Sequence, residues 1–380
     1  MKRLNLTFIF SLLFFIPAIW AQSLSFDQFT FQKKIEAGAV LNQYRTNTCW
    51  SYTLLGMIES EIMARTGKSV ALSEMYLVYY AYLEKAERYL RMHGKIAFSE
   101  GGMLTDPLSL IEKYGIVPRE VYSGLQPGET LPDHLQMESN LKSYLDELLL
   151  KKILPADWKK RFKEMLELYM GEVPESFEYQ GRIFTPKSYA QSLGIRSDDY
   201  VLFMSFEYLP YYQAAFVEVP DNWSLAYAVN IPIDEMMGLM DNALMNGWPV
   251  AITCDITEDG FMWNKGLAYA FSSDIDRERV NEALGQNQIP DITEVSVNAR
   301  LRQQAFDSFE TTDDHSLVLL GIAHDKTGRK YYYAKNSWGV VNNPYEGYMF
   351  LSEAYLKYKI ITLLVRKQTL PAALLQKIKR

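Results

Sequence analysis

Near residue 200 the sequence changes its hydrophobic period, and that change limits the architectures open to it. Before this point apolar residues recur at helical spacing. "CWSYTLLGMIESEIMARTGK" sets Leu54, Met57, Ile58, Glu61 and Ile62 along one helix over 49–66 that stops near Gly67. A second helix follows Ser73, a residue suited to capping, through "EMYLVYYAYLEKAERYL". A third opens at Thr105 or Asp106, carries Pro107 in its first turn and ends at Gly115. Residues 134–170 are rich in Leu, Lys and Glu and read as helix interrupted at Pro155. Beyond 200 the runs "YVLFMSF", "LAYAVNI", "WPVAITCDI", "HSLVLLGIAHD", "KYYYAKNSWG", "EGYMFLS" and "KIITLLVRK" are strand-like, with one helix at about 233–246 among them. No repeat or long linker separates the halves. The pattern predicts an α+β fold, a helical lobe followed by a mostly antiparallel β lobe.

The first residues, "MKRLNLTFIFSLLFFIPAIWAQ", combine Lys2 and Arg3 with an apolar run from Leu6 to Trp20 and a small residue, Ala21. A run this short, broken by Pro17, fits a cleaved signal peptide over 1–21 better than a spanning helix. The mature chain then begins near Gln22, is exported to the periplasm or beyond, and keeps no membrane anchor. Its charge becomes −9, from 37 basic and 46 acidic residues. That balance, without Lys/Arg clusters, excludes a nucleic-acid partner. No metal-ligand spacing such as H-E-x-x-H occurs, so neither a metal nor another cofactor is implied.

Two cysteines, Cys49 and Cys254, stand 205 residues apart in a chain expected to be exported. Cys254 sits inside the strand "VAITCDI", where a cysteine serves as a small hydrophobe. Cys49 opens a helix, where free N–H groups and the helix dipole favour a thiolate. A nucleophilic thiol needs a base. Of His93, His134, His315 and His324, the third starts a strand whose partner is reached through "DKTG". A hairpin centred between Asp325 and Lys326 sets His315 opposite Asn336, whose amide can then fix the imidazole tautomer. Cys49, His315 and Asn336 thus follow the logic of nucleophile, base and orienting group. Gln43, on the loop entering the helix, can share the oxyanion with the Cys49 backbone N–H. Trp50 can pack under the nucleophile, and Trp338 can shield Asn336 from water. "NWS" at 222–224 is formally a glycosylation sequon.

"Q-x5-CW", "DH" at 314–315 and "NSWG" at 336–339, in this order, resemble the papain-like cysteine peptidases. The 266 residues between Cys49 and His315, together with "GGMLTDPLSLIEKYGIVPREVY" and "WPVAITCDITEDGFMWNKGL", point to the bleomycin hydrolase and aminopeptidase C branch. This resemblance implies a papain-like two-lobed fold: an α lobe at about 40–130, a large helical insertion at about 131–200, a β lobe at about 200–368 and a tail at 369–380. It implies peptide hydrolysis through a thioester acyl-enzyme on peptide or protein substrates. Gly101 and Gly102 match the glycine pair that meets an extended peptide, and Trp338 joins them as a substrate-binding candidate. Related enzymes form rings of subunits, so a homo-oligomer is left open. "RKQTLPAALLQKIKR" departs from the C-terminal arm that limits such enzymes to peptide N-termini, which implies endopeptidase action beside aminopeptidase action. A papain-like protein that binds peptides without turnover and a different cysteine acyl-transfer enzyme remain the alternatives.

Overall fold

The computed structural model describes residues 24–378; the expected signal peptide lies outside them. Among the described residues no helix is long and apolar enough to cross a membrane. After strand β1 (Phe29–Lys34) comes α1 (Cys49–Thr66), ended by Gly67 in the left-handed region at φ 68°. Trp50, Ser51 and the run Thr53–Ile62 are all buried. So α1 is enclosed on every side, and even Glu59 and Glu61 need internal partners. Helix α2 (Glu74–Arg91) is capped as the sequence predicts, the Ser73 hydroxyl accepting from the Tyr76 N–H. Helices α3 (Asp106–Tyr114), α4 (Leu135–Lys151) and α5 (Trp158–Met170) complete the helical half. The break between the last two opens at Lys152, which turns left-handed before Pro155 is reached.

A small hairpin, β2 (Phe177–Tyr179) and β3 (Arg182–Phe184), and α6 (Pro186–Leu193) lead into the sheet half. There follow β4 (Tyr200–Met204), β5 (Ala214–Phe216), β6 (Tyr227–Asn230), α7 (Ile233–Met245) and β7 (Val250–Cys254). Next are β8 (Phe261–Met262), β9 (Leu267–Ala268), α8 (Asp274–Gly285) and α9 (Ala299–Asp307). The chain finishes with β10 (His315–Asp325), β11 (Lys330–Lys335), β12 (Tyr348–Ser352), α10 (Glu353–Lys359), β13 (Ile360–Arg366) and α11 (Ala372–Ile378). The strands order as β5-β6-β4-β13-β7-β10-β11-β12-β9-β8, with β1 added to β10 beyond the reach of β7. Most pairs are antiparallel; β4 with β6 and β12 with β9 are parallel.

Strand alternation gives the sheet two different faces. Helix α1 covers one: Gly56 lies against Val318 of β10, and Lys335 of β11 points at Gly56. Helix α7 covers the other, where Asp241 accepts from the Tyr332 hydroxyl and from Lys330. The seam between α1 and the ends of β10 and β11 is where the chemistry-bearing residues meet.

The β10–β11 hairpin corrects one expectation. Its pairs are His324 with Lys330, Ile322 with Tyr332 and Val318 with Lys335, with a register shift between Leu319 and Gly321. The turn therefore centres on Thr327, not between Asp325 and Lys326. Asp325 causes this: its Oδ1 accepts from the Thr327 N–H, the Thr327 hydroxyl and the Arg329 N–H, while Gly328 takes φ 86°. His315 and Asn336 are not a cross-strand rung; both lie past the last pair.

Candidate active site

His315 and Asn336 still meet. The Nε2–H of His315 donates to Asn336 Oδ1 at 2.7 Å, and the same oxygen accepts from the Ser337 backbone N–H at 2.7 Å. Two donors on one atom fix which way the amide points, and a proton on Nε2 leaves Nδ1 as the basic nitrogen. Both side chains are buried, and the Trp338 ring lies 4.8 Å from the imidazole at a 39° tilt. Phe261 and Trp263 pack edge-on against Trp338. This aromatic cover reaches His315 directly, beyond the shielding of Asn336 that the sequence suggests.

Gln43 belongs to a short stitch between the two halves. Its N–H donates to the Ser337 carbonyl, the Gly339 N–H donates to Leu41, and Asn42 bridges Trp338. The Gln43 Oε1 accepts from the Ser337 hydroxyl at 2.6 Å, and its Nε2 donates to the Thr46 carbonyl at 2.6 Å. The amide was expected to meet the Cys49 backbone N–H; its hydrogen bonds go to Ser337 and Thr46. One Nε2–H and the Cys49 N–H have no bond among the described residues.

Cys49 starts α1 half-buried, and both it and Cys254 are free thiols. The surroundings of Cys49 oppose the thiolate that the helix start favours. Burial pushes the Cys49 thiol up to about 12; Ser316, through its hydroxyl and backbone N–H, pulls the other way, and the Asp313 and Asp221 carboxylates push it further up. Burial likewise holds His315 down at about 4, against the opposing pull of its Asn336 bond. Ser316 is the residue of β10 that faces the sulfur.

The approach to Cys49 is held by a residue the sequence reading passed over. Glu100 is buried; its Oε2 accepts from the Asn47 N–H, its Oε1 from the Tyr82 hydroxyl and its carbonyl from Trp50 Nε1. His134 is buried too, with Nδ1 2.6 Å from Glu100 Oε1. Trp50 is thus tied to the "SEGGM" loop as it packs beneath the first turn. Gly101 and Gly102 of that loop are buried, not open. A Cβ on Gly102 would press on the Trp50 ring and Asp106, and one on Gly101 would collide with the Asp221 carboxylate. In the sequon, Asn222 is buried, with Nδ2 donating to Val217 and Ala226 and Oδ1 accepting from Ala226. It is not available for glycosylation in the folded protein.

The Peptidase C1-like family model matches residues 18–380. The chain belongs to that family. It is a cysteine-type peptidase, acting on peptide or protein substrates. The chain is 22% identical to aminopeptidase C of Listeria monocytogenes, over 91% of this chain and 84% of that protein. It is 20% identical to aminopeptidase G of Lactobacillus delbrueckii subsp. lactis, over 90% and 83% of the two. A solved structure, PepW of Lactobacillus rhamnosis, superposes with a TM-score of 0.71 at 22% identity, covering 92% of this chain and 84% of that one. The α+β papain-like fold is therefore shared with this Peptidase C1-like branch.

Proposed function

We propose that this peptidase is an exported aminopeptidase in which Cys49 attacks the scissile carbonyl and His315 moves the proton. Neutral His315 accepts the thiol proton as the C–S bond forms, then returns it to the departing amine. Water, deprotonated by the same imidazole, hydrolyses the thioester. Asn336 holds the ring, while the Cys49 N–H and the uncommitted Nε2–H of Gln43 receive the oxyanion. The observation that carries this reading is the bonded set His315–Asn336–Ser337–Gln43, which ties base, orienting amide and oxyanion donor to the loop entering Cys49's helix. Aminopeptidase action is supported by the relatives' names and by the burial of Gly101 under Asp221, since endopeptidase action requires a cleft open past that glycine. The test is hydrolysis of one peptide sequence with a free and with a blocked N-terminus, by the parent protein and by Cys49→Ala. Loss of turnover in Cys49→Ala and preference for the free peptide are expected. Turnover that survives in Cys49→Ala would refute the nucleophile, and equal cleavage of both peptides would refute the aminopeptidase mode.

A further inference from the structure

We infer that Asp221 is the specificity-determining residue of this cleft: its carboxylate closes the non-primed side at Gly101 and takes the α-ammonium of the substrate. The inference deepens the aminopeptidase reading and rests on it for the meaning of the site.

Position comes first. The Asp221 carboxyl atoms lie 2.0–2.2 Å from where a Cβ on Gly101 would stand, so the carboxylate rests directly on that glycine's backbone. The segment bearing it is pinned from both sides. Asn222 clamps the turn through Val217 and Ala226, and the Trp223 N–H donates to the Asp221 carbonyl. The buried Trp223 ring carries Lys85 and Arg88 of α2 at 5.4 and 5.9 Å. An extended peptide lying along Gly101 meets this wall, and a chain with nothing before that contact fits under it.

Charge is the second argument. Among the described residues Asp221 forms no ion pair, and its side chain has one hydrogen bond, from the Ser99 hydroxyl at 3.5 Å. Lys85 is nearby and its charge opposes the effect of burial on Asp221, but two of its three N–H groups go to the Ser99 and Gly101 carbonyls, at 2.7 and 2.5 Å, and it makes no direct bond to the carboxylate. A half-buried carboxylate with no cation in direct contact is poised to take one. The field of Asp221 also reaches Asp313 and the Cys49 thiol, raising both. An ammonium docked on Asp221 offsets that field, so the substrate that fits also eases ionisation of the nucleophile.

Binding to Cys49→Ala, measured by calorimetry, separates this inference from catalysis. Three forms of one peptide are compared: the free amine, the N-acetyl form and a deamino analogue with hydrogen in place of the amine. The free amine should bind about 10- to 100-fold tighter than the deamino form, and Cys49→Ala/Asp221→Asn should erase the difference. Equal binding of free and deamino peptides, or a preference untouched by Asp221→Asn, would overturn the assignment. A second readout uses the intact nucleophile. Asp221→Asn should raise the rate at which iodoacetamide alkylates Cys49, because an opposing charge is gone; an unchanged rate would put Asp221 out of reach of the sulfur and defeat the proposal.

Discussion

Each reactive group here is set by its solvent-poor surroundings more than by its own chemistry. Cys49 has the helix start that lowers a thiol's pKa, yet desolvation and two carboxylates push it the other way. Gln43 has one N–H committed to Thr46 and one to spare; Gln43→Ala should cut kcat by about 10² to 10³, and normal kcat would remove the oxyanion role. His315 gives a stability signature of its own. It takes a proton near 6.5 when unfolded and near 4 when folded. Between those values the unfolded chain binds more protons, so stability falls as pH drops from about 6.5 to about 4, by up to about 1.4 kcal/mol per pH unit. His315→Gln should shallow that fall in urea midpoints taken at pH 7 and 4.5. The same slope in both proteins would show that His315 is not held neutral by burial.

Between elements, the contacts that align the site are charged as well as apolar. Arg119 forms a two-pronged pair with Glu74 of α2 and also reaches Glu59 of α1. Glu59 accepts from the Leu72 N–H, and Lys335, one residue before Asn336, faces both acids from β11. Burial raises Glu59 to about 7, with Arg119 and Lys335 opposing. Removing the guanidinium strands two buried carboxylates. Arg119→Met should therefore cost about 3–5 kcal/mol in chemical unfolding, and a loss below about 1 kcal/mol would show that Lys335 alone compensates them. Gly56 sits at the same junction, facing Val318 and the Lys335 ammonium.

For the whole molecule, both thiols are free, so covalent cross-links contribute nothing to its stability. The thermal midpoint should not move on adding reductant, and two thiols per chain should titrate in denaturant; a midpoint that drops with reductant would reveal a disulfide. If the N-terminal segment directs export, protein recovered outside the cytoplasm should begin near Gln22, and a retained Met1 would refute cleavage. The order of helices and strands is readable in advance because hydrophobic period, capping residues and turn glycines act over a few residues: α1 and α3 end where Gly67 and Gly115 require, and α2 begins where Ser73 caps it. Short or polar elements such as β1, α8 and α9 gave no such signal, since packing partners elsewhere in the chain stabilise them. The residue types of the site were legible too, because Cys, His, Asn and Gln at those places have few structural uses in combination. Their arrangement was not. Asp325 moved the hairpin centre, Ser316 faces the sulfur, Glu100 holds the approach loop and Asp221 lies on Gly101. Sequence by itself determined which elements form and which side chains can do chemistry, since those follow from local preference. Only the tertiary structure decided their protonation, their neighbours and where the cleft ends, because these depend on burial and fields created by residues distant in the chain.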